Sequence, residues 1–248
     1  LRIVENGPLR ACIRVEQRFE DTLIRQDYSL TAGSAQLDVR VRMDVRLRHR
    51  QIKLNFPLAL EGGVPVYSMP YGFIAKQPDG LEEPSQQWVA VLEDGAPRFA
   101  LINNGKYSFS MKDSVLKMTA VRTPAYADHF GERDDLMEYT DQGIGEFQYA
   151  LLPCPESFGG IVRAARLMNQ PPEWIVETYH KGPLPLTWSG AEISDPRVIA
   201  EVFKRSEDGD GYVLRLFDAS GEGAEGVTVC CAGRECTLPF SPQEVRTV

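Results

Sequence analysis

The chain has 248 residues, of which 43% are hydrophobic and 25% charged, the balance of an ordinary globular protein with enough length to bury a core without disulfides. Its 35 acidic residues outnumber 27 basic ones for a net charge of −8, which argues against a general nucleic-acid binder. No stretch approaches the ~18 uninterrupted apolar residues of a membrane span.

The sequence opens at Leu1 and runs almost at once into strand-like residues, which suggests a piece of a longer polypeptide. From Leu9 to Phe19 apolar and charged residues alternate, and Glu20-Asp21 reads as a turn into a second alternating run through Ile24, Gln26, Tyr28 and Leu30. Ala32-Gly33-Ser34 turns the chain again. The run that follows is the most regular of all: Leu37, Val39, Val41, Met43, Val45 and Leu47 alternate with Asp38, Arg40, Arg42, Asp44, Arg46 and Arg48. A period of two places the apolar set on one face of a strand and the charged set on the other. The arginines form a basic stripe, read as a solvated face with cross-strand pairing in preference to a ligand site.

Further strands are predicted at Ile52 to Phe56, Val64 to Met69, Gln87 to Leu92, Arg98 to Ile102 and Val115 to Val121. Pro78-Asp79-Gly80 and Glu93-Asp94-Gly95 supply turns, and Asn103-Asn104-Gly105 is a hairpin signal leading to Tyr107 and Phe109. Many strands at short spacing point to an antiparallel sandwich. The pattern lapses from Arg122 to Gly145, a polar and aromatic loop, and resumes from Ile144 to Leu152. Phe158 to Met168 has helical spacing, and Pro171-Pro172 ends it. Four prolines between Pro171 and Pro185 mark a connector, after which strands around Ile199 to Phe203, Tyr212 to Phe217, Val227 to Cys231 and Glu235 to Leu238 form a smaller sandwich. The expected division is residues 1–152, a connector over 153–187 and a last domain over 188–248.

No complete catalytic constellation is legible. His49, His129 and His180 stand far apart, and Walker, dinucleotide and G-x-S-x-G motifs are absent. The five cysteines (Cys12, Cys154, Cys230, Cys231 and Cys236) lack zinc spacing and read as reduced thiols of a cytoplasmic protein, with Cys230, Cys231 and Cys236 as buried small apolar side chains. Glu132, Asp134, Asp135 and Asp141 could do general acid–base work in a cleft, although a solvated acidic loop is the plainer reading. Tyr67, Tyr71, Phe73, Trp88 and Tyr107 could stack on sugar rings, but aromatics at this density are mostly core.

Several blocks together resemble one family. Ile3-Val4-Glu5-Asn6-Gly7-Pro8-Leu9-Arg10 is similar to the entry of the C-terminal β region of the family-38 glycoside hydrolases, the α-mannosidases. Gln26-Asp27-Tyr28-Ser29-Leu30, Met69-Pro70-Tyr71-Gly72-Phe73-Ile74 and Ala100 to Tyr107 resemble later blocks in the same order. So do Arg122-Thr123-Pro124, Asp141-Gln142-Gly143 and Lys204 to Tyr212. The resemblance implies an all-β chain: a large antiparallel super-sandwich of mutarotase type, followed by a smaller β-sandwich. It implies that the nucleophile and the zinc lie in an N-terminal catalytic domain of the same polypeptide, so that this chain is non-catalytic and helps to wall a mannoside cleft. Arg122, Tyr126, Asp141 and Gly143 would lie nearest that cleft, with Tyr71 and Tyr107 as further candidates. A chain parted from its catalytic domain would expose an apolar docking surface and could self-associate into a homo-oligomer. The alternatives are a free-standing carbohydrate-binding module and a mutarotase-like enzyme.

Overall fold

Period-two patterning becomes strands along most of the chain. The computed structural model describes residues 1–126 and 138–248. The first strands are β1 (Arg2–Asn6), β2 (Arg10–Phe19), β3 (Thr22–Thr31), β4 (Leu37–Val45), β5 (Gln51–Pro57), β6 (Val64–Met69) and β7 (Gly72–Ala75). They are followed by β8 (Glu83–Pro84), β9 (Trp88–Glu93), β10 (Ala96–Asn103), β11 (Ser108–Lys112), β12 (Val115–Arg122) and β13 (Gly143–Pro153). Then come helix α1 (Phe158–Asn169), β14 (Ala191–Ile193), β15 (Val198–Arg205), β16 (Tyr212–Asp218), β17 (Ala224–Cys231), β18 (Arg234–Phe240) and β19 (Val245–Thr247). Among the described residues the chain is therefore all-β apart from one helix, as the patterning predicts.

Two compact units result, one comprising Leu1–Ser68 with Ile74–Pro155 and the other Met69–Phe73 with Glu156–Val248. In the first, a nine-stranded sheet runs in the order β1-β2-β3-β4-β13-β10-β9-β6-β7, and a four-stranded sheet in the order β5-β12-β11-β8. Their facing sides share one core: Val39, Val41 and Met43 of β4 and Tyr149 of β13 meet Phe109, Leu116 and Met118 of the smaller sheet. Phe56 of β5 sets its ring edge-on to Tyr149, with centroids 5.5 Å apart.

The charged sides of β2, β3, β4 and β13 face out, and their residues pair across the strands. Arg14 grips Asp27 through two hydrogen bonds of 2.6 Å, Arg25 reaches Glu16 at 2.8 Å, and Arg40 and Arg42 share Glu146 at 2.7 and 2.5 Å. These groups line a shallow depression of about 390 Å³. Arg40 and Arg42 of the basic stripe are thus paired across the strands on an exposed face.

One predicted connection is corrected. Asn103-Asn104-Gly105 does not close a hairpin, because β10 lies in the nine-stranded sheet and β11 in the four-stranded one. The residues do make a turn: Asn103 Oδ1 accepts the backbone N–H of Gly105 at 3.0 Å and of Lys106 at 2.8 Å. Turn chemistry is local and does not choose the next strand's partner.

In the second unit, sheets β14-β17-β18 and β15-β16-β19 enclose Val198, Leu214, Leu216, Ala224, Val227, Val229 and Phe240. Helix α1 is capped by Ser157, whose hydroxyl accepts the Gly160 N–H at 3.1 Å, and it buries Gly159, Ile161, Val162 and Ala165. All five cysteines are free thiols. Cys12 is buried and Cys154 exposed, while Cys230, Cys231 and Cys236 are half-buried rather than the buried side chains expected, Cys231 and Cys236 packing against the second core.

Candidate functional site

The alternation stops where β12 ends, and the chain returns only at β13. The two limbs of this connection hold each other. Tyr126 N–H donates to Glu138 O at 2.8 Å, Thr140 N–H donates to Pro124 O at 3.1 Å, and Ala125 bridges to Tyr139. Arg122, the last residue of β12, donates its N–H to Asp141 Oδ2 at 3.1 Å, while its carbonyl accepts the Thr140 hydroxyl at 2.9 Å. Asp141 and Gly143 take left-handed backbone angles, φ 52° and 84°, a turn that a short polar side chain and a glycine tolerate best. Gly143 then pairs with Val45 and opens β13. Of the predicted site residues, Arg122, Tyr126, Asp141 and Gly143 are therefore brought together along the connection that leads from β12 in one sheet to β13 in the other. His129, Glu132, Arg133, Asp134 and Asp135 lie outside the described residues.

Side chains from two other connections join them. The segment after β4 is stitched to Thr123: His49 N–H donates to Thr123 O at 2.8 Å, and Arg50 N–H donates to the Thr123 hydroxyl at 3.0 Å. This sets His49 Nε2 3.2 Å from the Tyr139 hydroxyl, with the rings edge-on at 5.0 Å and the Arg48 guanidinium 5.0 Å from the Tyr139 ring centre. The other contribution is Lys106, delivered by the Asn103 turn. Its ammonium lies 4.6 Å over the Phe147 ring. Burial pushes the Lys106 pKa down, and the charge of nearby Asp141 draws it partly back.

Tyr107 follows Lys106 and is 63% exposed, so its ring is presented to solvent. Tyr71 is placed in the second unit, where its hydroxyl accepts Arg215 Nη1 at 3.4 Å and its ring meets Phe217 edge-on at 5.9 Å. Tyr67 and Trp88, at 2% and 3% exposure, are core residues, so neither can stack on a sugar. Lys106, His49 and Tyr139 are the residues that sequence reading passed over. The three histidines stand far apart in sequence, which hides the approach of His49, and Lys106 stands beside a turn read as a hairpin.

The described residues of this surface offer cations, carboxylates, hydroxyls and exposed aromatic edges. Such a set can hydrogen-bond and stack on a neutral polyhydroxylated ligand. Among the described residues no three His, Cys, Asp or Glu side chains converge on a point that could hold a metal. Among the described residues no helix is long and apolar enough to cross a membrane.

Comparison with known proteins adds the context. The family model described as "Glycosyl hydrolases family 38 C-terminal domain" matches residues 1–130. Over 212 residues, 80% of this chain, it is 26% identical to "Alpha-mannosidase 2C1" of Homo sapiens and 27% identical to that of Mus musculus. It is 20% identical over 241 residues to "Alpha-mannosidase G" of Dictyostelium discoideum. The chain spans only about a fifth of these relatives, 19% of the human protein and 21% of the Dictyostelium one. In fold it is similar over 99% of its length, with a TM-score of 0.81 and 15% identity, to 34% of an α-mannosidase from Enterococcus faecalis V583. A second Enterococcus faecalis structure, of a protein in glycosyl hydrolase family 38, matches with a TM-score of 0.82.

Proposed function

This chain belongs to the glycosyl hydrolase family 38 C-terminal domains, and we propose that it is the non-catalytic β region of a cytoplasmic α-mannosidase. In this reading it packs against a catalytic region elsewhere in the same polypeptide and forms part of the wall of a mannoside cleft. The observation that carries the reading is the family match over residues 1–130, which takes in both limbs of the large sandwich through β12 and the departing limb of the Arg122 connection.

Retaining glycoside hydrolysis needs a carboxylate nucleophile and a general acid about 5–5.5 Å apart. Two carboxylates of the connection, Glu138 and Asp141, are among the described residues, and an Asp141 oxygen is engaged by the Arg122 backbone. In this proposal the nucleophile, the acid and a zinc ion that would hold sugar hydroxyls belong to the catalytic region. The role left for the present surface is to orient substrate and exclude water. Asp141 fixes the departure of the chain after Arg122, Lys106 and Arg122 offer donors to hydroxyl groups, and Tyr126 and Tyr107 offer rings. The cytoplasmic assignment rests on the five free thiols.

The test is hydrolysis of an aryl α-mannoside by this chain alone and by the longer polypeptide that carries it, zinc being added to both. Turnover by the longer protein alone is the expected result, and turnover by this chain alone would refute the non-catalytic role. Within the active protein, Asp141→Ala is expected to raise KM about tenfold, a loss of ~1.4 kcal/mol in binding, with little change in kcat. Unchanged KM and kcat would remove Asp141 from the cleft. Measurable mannoside affinity in this chain alone would instead favour a free-standing binding module.

A further inference from the structure

Between α1 and β14 the chain runs without helix or strand, and every residue from 171 to 189 is exposed. Exposed linkers of this length are normally polar, because a segment poor in apolar residues has nothing to bury. This one is the opposite. Trp174, Ile175, Val176 and Tyr179 in its first half, and Leu184, Leu186 and Trp188 in its second, are each more than 80% exposed. Its four prolines, Pro171, Pro172, Pro183 and Pro185, favour an extended course and reduce the entropy lost when the segment is bound. The side-chain bonds here are local, as when the Ser189 hydroxyl donates to Ala191 O at 2.6 Å, so the strap's backbone stays open to a partner.

We propose that residues 171–188 are an arm by which this chain clasps the remainder of its own polypeptide, lying there in an apolar trough. Three arguments fix the occupant. First, seven large apolar side chains at ~150 Å² each offer about 1,000 Å², close to the ~800 Å² per partner of a standard stable interface and far more than a small ligand could cover. Second, the fold similarity to the Enterococcus faecalis enzyme covers 99% of this chain, strap included, in a protein of which it forms 34%. A segment with this course therefore belongs to a fold that exists beside about twice its own length of further chain. Third, the relatives extend to about five times the matched length. The trough has a defined form: at ~3.1 Å per residue the strap is about 55 Å long, and its Pro183-Leu184-Pro185-Leu186 stretch suits a slot walled by aromatic rings. The inference rests on the reading of the chain as one region of a longer α-mannosidase.

The test compares this chain with that longer polypeptide by hydrogen–deuterium exchange on peptides from 171–189. Chymotrypsin, which cuts after Trp174, Tyr179 and Trp188, provides a second readout. In this chain alone the segment should exchange and be cut at once, while peptides around Trp88, 3% exposed, stay protected in both proteins. In the longer polypeptide exchange and cleavage in the strap should slow by at least about tenfold. Equal rates in the two proteins would overturn the proposal. So would protection in this chain alone that rises with concentration, since that result assigns the strap to a second copy. Joint substitution of Trp174→Ser and Trp188→Ser should leave the Tm of this chain unchanged and lower that of the longer polypeptide; an unchanged Tm in the latter also overturns the clasp. Hydrolysis of an aryl α-mannoside, read alongside, separates the two claims. A longer polypeptide that turns over substrate with an open strap defeats the clasp alone. One that is inert but protects the strap supports the clasp and defeats the functional reading.

Discussion

Among the described residues the first unit gathers sixteen buried apolar side chains into one core, and the smaller sandwich of the second gathers seven. The larger core can rest on hydrophobic burial, at ~1.5–3 kcal/mol for each large side chain. The smaller has less to draw on and adds a polar device. Asp218, at the end of β16, is fully buried. Its carboxylate accepts the backbone N–H groups of Ser220, Gly221, Gly223 and Gln243, each at 3.0 Å, together with the Ser220 hydroxyl at 2.6 Å. One side chain thus ties the turn after β16 to the turn before β19. Burial pushes this carboxyl up, but the donors together outweigh it and hold Asp218 below the usual aspartate value.

Substitutions can break that contrast in turn. The largest effect belongs to the larger core: Phe109→Ala, at a residue 0% exposed between the two sheets, should cost about 3–5 kcal/mol in denaturant unfolding. Asp218→Ala should cost about 3 kcal/mol, because it strands four backbone donors in the interior at ~1–3 kcal/mol for each unmet group, partly offset by water. The pH dependence carries a sign. A folded-state pKa below the unfolded one contributes stability that is present above the unfolded value, about 3.9 for aspartate, and is lost as pH falls through the folded value. The second unit should therefore weaken below pH ~4, and Asp218→Asn should flatten that part of the curve; an identical acid limb in the variant would refute the anchor role. Gly223→Ala follows at about 2–3 kcal/mol: the residue has φ 79°, and an added Cβ would lie 2.6 Å from the Phe240 carbonyl oxygen.

The same contrast governs what could be read from the sequence. The long strands of the first unit announce themselves by alternation over nine or ten residues; in Leu37–Val45 it buries Val39, Val41, Met43 and Val45, whereas in Arg10–Phe19 it marks the strand while Ile13 and Phe19 stay exposed. Strands such as Glu83–Pro84, Ala191–Ile193 and Val245–Thr247 are too short to show a period. Arg122, Tyr126, Asp141 and Gly143 were legible as a group because they flank a single connection. Lys106 and His49 reach that connection from other strands, and only the tertiary fold shows their approach. Tyr71 looked like their companion by its block but falls in the second unit. Asp218 carried no signal at all: an acidic residue closing a strand resembles any other strand-end aspartate until four amides are seen to converge on it.

The smallest effect sharpens the comparison most, because it concerns the same functional group in the opposite setting. Glu146 is held by Arg40 at 2.7 Å and Arg42 at 2.5 Å on the open face of the nine-stranded sheet. Hydrogen bonds from these two guanidinium groups lower its pKa, as the amides do for Asp218. The distances are shorter than the 3.0 Å of the amide bonds at Asp218, yet the energetic consequence should be far less. Water solvates Glu146 whether or not the arginines hold it, and the Coulomb attraction acts through a high dielectric that salt screens further. Glu146→Gln should leave Tm unchanged within error at physiological salt, in the same assay that registers Asp218→Ala as a large loss. Because its folded-state pKa is lowered, Glu146 should contribute a small loss of stability as pH falls through the glutamate range, reduced by the solvent screening of an exposed pair. A fall in Tm for Glu146→Gln that persists in high salt would mean that the arginine face is integral to the sheet, and stability in the larger unit would then no longer rest on its apolar side alone.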